Sequence, residues 1–304
     1  MLVLVNGLPL FSKRLVKDLN SLDKNNTYVF ADTYYSLWDK IKFFALIPFS
    51  KIVISFNGVS DNSGSLNWVL KFKKKLVMQW QGTDVSLAVE RFNNNTINRK
   101  YIDNALHFTD AIWLKKDLDT FINSVKLVNF KHFNFLKNET NYKKNSVLSY
   151  IGKGRESFYG YDDLLLAAKK IPEIDFNIIG SDGDGLACVS NIKFHGWVDE
   201  VVVNKLMRET SIFVRLTKHD GNSVSVYEAL GNGCEVIWSY PSEKSYLATN
   251  STELISVMND LVYKITERNF TPNDSNYSYI QDNFNKEKII GNYINVLNEF
   301  SKIK

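Results

Sequence analysis

Asp220 and Glu228 are two carboxylates eight positions apart in the stretch RLTKHDGNSVSVYEALGNGCEVIWS, residues 215–239. Two cations, Lys153 and Arg155, share a second stretch, GKGRESFYG, with Gly152, Gly154 and Gly160. A glycine loop with two cations facing a helix N-terminus suits a diphosphate. The plainer reading of that loop is a flexible charged turn. For the carboxylates, the plainer reading is a helix-start acid plus a solvated glutamate. Against it, Glu228 is flanked by Val224, Val226, Tyr227, Ala229 and Leu230. A glutamate in so apolar a helix is partly buried and needs a partner.

These residues must be positioned by regular elements. Residues 212–217 (IFVRLT) read as a buried strand, and Lys218-His219-Asp220-Gly221-Asn222 as a polar turn. Residues 223–230 read as a short helix capped by Asn222 or Ser223. Gly231 and Gly233 stop it before a second strand at 234–238. This is one βαβ unit. Its ligand site lies at the strands' carboxyl ends, and its helix N-terminus attracts phosphate. Asp220 would hang over that N-terminus while Glu228 projects from the second turn, so one ligand along the helix start can touch both.

The segment resembles the donor-binding signature of the GT-B glycosyltransferases, especially glycosyltransferase family 4. That family has Glu-x7-Glu around a glycine turn, then Glu-Ala-hydrophobic-x-x-Gly. This chain has Asp220-Gly221, then Glu228-Ala229-Leu230-Gly231-Asn232-Gly233. The family's Gly-Arg and Lys-Gly, whose cations hold the donor diphosphate, correspond to Gly152-Lys153 and Tyr159-Gly160. Lys153 keeps a cation, Tyr159 replaces one, and Arg155 is its substitute. The strand-end cluster Gly180-Ser181-Asp182-Gly183-Asp184-Gly185 and the segment KFHGWV, residues 193–198, also resemble the family. Trp197 and Val198 lie where the base is read.

The resemblance implies an α/β GT-B fold, with two Rossmann-like domains facing across a cleft and a last helix returning to the first domain. It implies transfer of a hexose from a UDP- or GDP-linked donor, with retention and no required metal. The expected catalytic residues are Asp220, Lys153 and Arg155. Expected donor-binding residues are Gly152, Trp197, Val198, Gly221, Asn222, Ser223, Val224 and Glu228. The acceptor would be a glycan or a lipid-diphosphate-linked glycan, and the setting surface polysaccharide or glycoconjugate assembly. Departures at Asp220, Tyr159 and Gln81 leave open a non-catalytic relative that binds a sugar nucleotide or glycan beside an active transferase.

Length and charge agree with two domains. The chain has 304 residues, 44% hydrophobic, and a net charge of +4. Residues 1–145 hold 21 Lys and Arg against 12 Asp and Glu, or +9; the remainder holds 16 against 21, or −5. A basic front half suits an anionic membrane or a phosphorylated acceptor. No nucleic-acid motif accompanies it, and no GxGxxG follows a strand to mark a nicotinamide enzyme. No apolar run reaches the roughly 18 residues of a membrane span. Cys188 and Cys234 read as free thiols of a cytoplasmic protein. The four histidines lack metal-ligand spacing, so no metal or cofactor is expected.

The first half is expected to open as strand, turn and helix: 2–5, Asn6-Gly7-Leu8-Pro9, then 11–22 with Ser12 near the N-cap. Gly7 would face the cleft. Strands follow at 27–31, 51–57 and 75–80. Gln81-Gly82-Thr83-Asp84 resembles an acceptor-side His-Gly-Thr-Asp loop with Gln for His; alternatively, Asp84 caps the next helix. Residues 97–107 read as a helix, 109–114 as a strand, 117–124 as a helix and 125–130 as a strand. YYSLWDKIKFFALIPFS, residues 34–50, is either a core helix or an interfacial one with lysines on anionic lipid. Lys71–Lys75 adds a second basic cluster. The polar run 137–146 reads as a linker. The expected domains are 1–142 and 143–282, with a returning amphipathic helix in 283–304 carrying Ile289, Ile290, Tyr293, Ile294 and Leu297.

Overall fold

The computed structural model describes residues 1–135 and 143–303. The chain forms two compact units, Met1–His132 with Lys286–Lys304, and Phe133–Asn285. Most of the polar run expected as a linker, residues 137–142, lies outside the described residues. Its last part does not behave as a linker. Lys143 is buried, and its ammonium donates to the carbonyls of Met207, Arg208 and Thr210.

The first unit carries six parallel strands: β1 Leu2–Asn6, β2 Thr27–Phe30, β3 Ser50–Phe56, β4 Lys75–Trp80, β5 Ala105–Thr109 and β6 Val125–Leu127. Their order is β2-β1-β3-β4-β5-β6. The strands are nearly continuous apolar runs because helices cover both faces. On one face Leu4, Val53, Leu76, Met78 and Trp80 pack with Phe43 and Leu66. On the other, Val3, Val5, Ile52, Ile54 and Phe108 meet Ile290, Tyr293 and Leu297 of the helix Lys286–Lys302. The final helix therefore belongs to the first unit's core. Its fully buried Tyr293 donates to Gln79 Oε1 at 3.2 Å.

The second unit repeats the plan with β7 Lys144–Tyr150, β8 Asp175–Ile179, β9 Ile192–Phe194, β10 Thr210–Arg215, β11 Glu235–Trp238 and β12 Tyr246–Leu247. Their order is β12-β11-β10-β7-β8-β9, and every pair is parallel. In each sheet the chain runs outward on one side of a central strand and then resumes on the other. The direction reverses between β1 and β3, and between β7 and β10. In open α/β sheets ligands bind outside the strands' carboxyl ends at such a switch point.

The structure corrects the reading of residues 97–130. ALHFT, not TDAIWL, is the strand, and IWLKKDL is a helix, Ile112–Leu118. His107 is responsible. It looks too polar for a central strand, yet it is buried, bonded to Trp80 Nε1 at 3.0 Å and to the Ile102 carbonyl at 2.9 Å. Two bonds remove the cost of burying the ring. Residues 117–124 are likewise not one helix, and the strand expected at 125–130 ends at Leu127. The first helix begins at Pro9, whose fixed φ suits a first turn. Ser12 lies inside that helix, bonded to the Gly7 carbonyl.

Candidate active site

The loops after β7 and β10 meet at the second unit's switch point, and they are the two stretches singled out above. Strand β7 leads into Ile151–Gly160. Lys153 N donates to the Gly180 carbonyl at 3.1 Å, and a 3-10 turn covers Glu156–Tyr159. Gly160 then starts the helix Tyr161–Lys170 at φ +70°. A Cβ at Gly160 would lie 2.6 Å from Leu216 Cβ, so only glycine lets this helix start touch the β10 loop. Two further bonds join the loops: Lys218 N to the Phe158 carbonyl and Lys218 Nζ to Ser157 Oγ, both 3.0 Å. Gly160→Ala combines a left-handed backbone with a hard contact. It is expected to destabilise the second unit by about 2–4 kcal/mol. An unchanged unfolding midpoint in urea would show that the loops part easily.

The cations are already engaged. Lys153 is exposed and pairs with Asp182 at 2.6 Å, and that carboxylate holds the ammonium's pKa above its ordinary value. Arg155 lies over the Phe158 ring, 4.2 Å from its centroid, and 5.8 Å from that of Tyr159. Arg215 approaches the same Tyr159 ring at 5.8 Å. Tyr159 is therefore flanked by two guanidinium groups.

Asp220 is turned into the fold. Arg215 grips it with two nitrogens, Nη2 reaching Oδ1 at 2.9 Å and Nε reaching Oδ2, and Trp238 Nε1 donates to Oδ2 at 3.1 Å. All three side chains are largely buried. Reading the sequence missed Arg215 and Trp238. The available signal was an arginine at a strand's end, five residues before an aspartate, with a tryptophan ending the neighbouring strand.

The helix Val224–Gly231 begins at Ser223. Six other helices of the described residues start at Ser36, Ser63, Asn98, Asp199, Asn250 or Asn273, and each of those side chains caps a backbone N–H. Ser223 does not. Its hydroxyl lies 3.0 Å from that of Ser225 and makes no cap bond to the helix. Asn222 accepts a bond from the Tyr227 hydroxyl at 2.5 Å, which fixes the approach to the helix. Glu228 sits one turn in and is half-buried. Gly221 precedes the helix in the same loop. His219 was also missed: its Nε2 is buried without a hydrogen-bond partner among the described residues.

Gly152, Lys153, Arg155 and Gly221–Val224 thus gather at one strand boundary, with Glu228 on the same helix. Trp197 and Val198 follow β9 on the same sheet edge, but β9 is three strand positions from β10, or about 14 Å. Trp197 is 83% exposed.

In the first unit, Gly7 follows β1 and Gly58 follows β3 at the switch point, and the Gln81–Asp84 loop follows β4. Gly7 has φ +84°, and a Cβ there would lie 2.3 Å from the Phe56 carbonyl oxygen. A Cβ on Gly58 would enter the Trp80 ring. Asp84 binds these loops together. It accepts from the N–H groups of Gly58 at 2.6 Å, Gly82 at 2.8 Å, and Gln81 and Val85 at 3.0 Å. Burial pushes its pKa up against those four donors. Its carboxylate is committed to holding the loop. Thr83 is exposed, Gly82 is buried, and Gln81 Nε2 turns back to the Trp80 carbonyl.

Among the described residues no group of three or more His, Cys, Asp or Glu could hold a metal ion. Among the described residues no helix is long and apolar enough to cross a membrane. Cys188 and Cys234 are free.

No family model matches the sequence, and no curated protein matches it. Solved structures do. Sucrose-phosphate synthase from Thermosynechococcus elongatus matches with a TM-score of 0.70 at 11% identity over 99% of both chains. S. aureus TarM, in complex with UDP, α-GlcNAc-glycerol and fondaparinux, matches with a TM-score of 0.61 at 14% identity over 84% of this chain. The pneumococcal O-GlcNAc transferase GtfA, in complex with UDP and GlcNAc, matches with a TM-score of 0.60 at 12% identity over 87% of this chain. The chain spans 58% of that TarM chain and 60% of that GtfA chain. The two six-stranded parallel sheets, their helical layers and the final helix returning to the first unit's core are the GT-B fold.

Proposed function

We propose that this chain transfers a hexose from a UDP-linked donor to a glycan or lipid-linked acceptor. One observation carries the reading: a helix N-terminus whose Ser223 hydroxyl makes no cap bond lies at the second sheet's switch point, beside a glycine loop bearing two cations. The N–H groups of Val224, Ser225 and Val226 suit the donor diphosphate. Lys153 and Arg155 would add charge as that diphosphate leaves, which is electrostatic catalysis rather than covalent catalysis. Glu228 would accept from the ribose hydroxyls. The +9 front half suits a phosphorylated or lipid-diphosphate acceptor. Relatives in complex with UDP favour that base over GDP.

Retention and independence of metal belong to the same proposal. The supply of cations and helix N–H groups does for the diphosphate what a divalent ion would otherwise do. Transfer from UDP-glucose or UDP-GlcNAc should therefore survive EDTA. Activity lost in EDTA and restored by Mg²⁺ or Mn²⁺ would overturn this part. UDP at 100 times its dissociation constant should stabilise the protein by about 2.7 kcal/mol. No thermal shift with any nucleoside diphosphate would overturn the donor site itself.

A second reading, a sugar-nucleotide-binding partner without turnover, is favoured by the engagement of Lys153 with Asp182 and of Asp220 with Arg215. Hours-long assay of donor hydrolysis separates the two. A transferase leaks sugar to water; a protein that binds UDP but never releases sugar from UDP-linked donors is the partner.

A further inference from the structure

The segment 34–50 resolves into something neither a core helix nor a free one. The helix Leu37–Leu46 and the 3-10 turn Ile47–Phe49 bury Phe43 and Ile47 against the first sheet. The opposite side is apolar and uncovered. Leu37 is 72% exposed, Trp38 81% and Phe49 77%, and Ile41 and Ala45 lie on the same outward stripe. Helical spacing sets Lys40 on one side of that stripe and Lys42 on the other.

The second basic cluster comes to the same place. Lys74 Nζ donates to the Pro48 carbonyl at 2.7 Å. Phe44 packs edge-on against Trp68 of the helix Gly64–Lys71, with centroids 6.1 Å apart, and Trp68 stacks on Phe72 at 5.9 Å. Lys71 lies over the Trp68 ring at 4.4 Å. Trp68 and Phe72 are themselves exposed. Two stretches distant in sequence thus make one surface of aromatic and aliphatic side chains, bordered by Lys40, Lys42, Lys71 and Lys74. Asp39 is the acid of that helix, and it is half-buried.

We propose that this surface, the outward face of Leu37–Phe49 with Trp68, Phe72 and the surrounding lysines, docks on an anionic lipid bilayer. Charge decides the occupant. Lysine is depleted at protein interfaces, whereas an apolar stripe with aromatics and flanking lysines is the pattern of a helix lying in the headgroup layer. Lysine stems can run along the acyl boundary while their ammonium groups reach lipid phosphates. The exposed apolar side chains supply the buried area, and the lysines supply the preference for anionic lipid. None of this depends on the donor reading.

Flotation with vesicles of phosphatidylcholine, alone or mixed with phosphatidylglycerol, tests the proposal. The full chain should bind the mixed vesicles at low salt, bind phosphatidylcholine far less, and be released as salt rises above about 0.1 M. Lys40→Glu with Lys71→Glu should weaken partitioning by roughly 30-fold or more. Trp38→Glu with Ile41→Glu should remove it. These side chains are exposed, so both variants should stay folded; Trp38→Glu with Ile41→Glu should unfold near the wild-type midpoint, and Lys40→Glu with Lys71→Glu a few degrees lower at most, since it gives up the Lys71 contact with the Trp68 ring. Failure to bind mixed vesicles at low salt, or variants that bind like wild type, would overturn the proposal. So would a wild-type dimer in sedimentation that Trp38→Glu with Ile41→Glu converts to monomer, since the surface would then serve a second copy.

Discussion

Asp220→Ala should lower the stability of the second unit by about 3–5 kcal/mol, the usual cost of stripping one partner from a buried pair. The reason is geometric. Arg215 is largely buried, and its guanidinium has two nitrogens on the Asp220 carboxylate. Without that carboxylate a buried cation loses its charge partner, and Trp238 Nε1 loses its acceptor. For a unit of this size the unfolding midpoint should fall by roughly 10 °C. Asp220→Asn should recover part of the loss, because one oxygen remains to accept. Arg215→Lys should not restore wild-type stability, because an ammonium cannot reproduce the two-pronged contact. Scanning calorimetry with and without UDP would measure all three. The expectation that Asp220 stands beside the transferred sugar makes a different forecast: Asp220→Asn would keep its midpoint and lose kcat. A stable, inactive Asp220→Asn would therefore reject the scaffold role, and an unstable one would reject the reading of a free catalytic carboxylate.

That contrast shows where the sequence is informative. The loops after β7 and β10 could be read because local rules determine them. β10 is apolar and β-branched, Gly221 and Asn222 break the chain, and Ser223 opens a helix. The switch point could not be read, because strand order is a long-range property: β10 sits beside β7 rather than β9 through contacts across more than 60 residues. Side-chain engagement was also hidden. Nothing local says that Asp182 reaches Lys153 or that Asp84 binds the Gly58 N–H from 26 residues away. His107 misled in the opposite direction. Its partners, Trp80 and Ile102, lie on other elements, so a buried strand residue was read into a helix. The 34–50 segment was ambiguous for a physical reason: Phe43 and Ile47 face the core while Trp38 and Ile41 face out, and both sets are apolar.

Glu228→Gln should raise the KM for a UDP-linked donor by roughly 10- to 150-fold while leaving kcat within a few-fold of wild type. Glu228 sits one turn into the helix whose start is proposed to hold the diphosphate, so a nucleotide held there would bring its ribose alongside. Ribose does not change during transfer. A hydrogen bond to it stabilises ground state and transition state equally, which alters KM and not kcat. Losing a bond between a charged acceptor and a neutral donor costs about 1.5–3 kcal/mol, the source of the range above. Free UDP isolates the effect because it lacks the sugar. Titration calorimetry should find UDP bound more weakly by Glu228→Gln to the same degree as the KM shift. Asp220→Asn, measured below its own midpoint, should bind UDP much as wild type does. Wild-type UDP affinity in Glu228→Gln would make Glu228 a helix residue and move the ribose elsewhere on the sheet edge. A kcat loss with unchanged UDP affinity would instead place the carboxylate at the reacting carbon, where charge develops only as the bond to phosphate breaks.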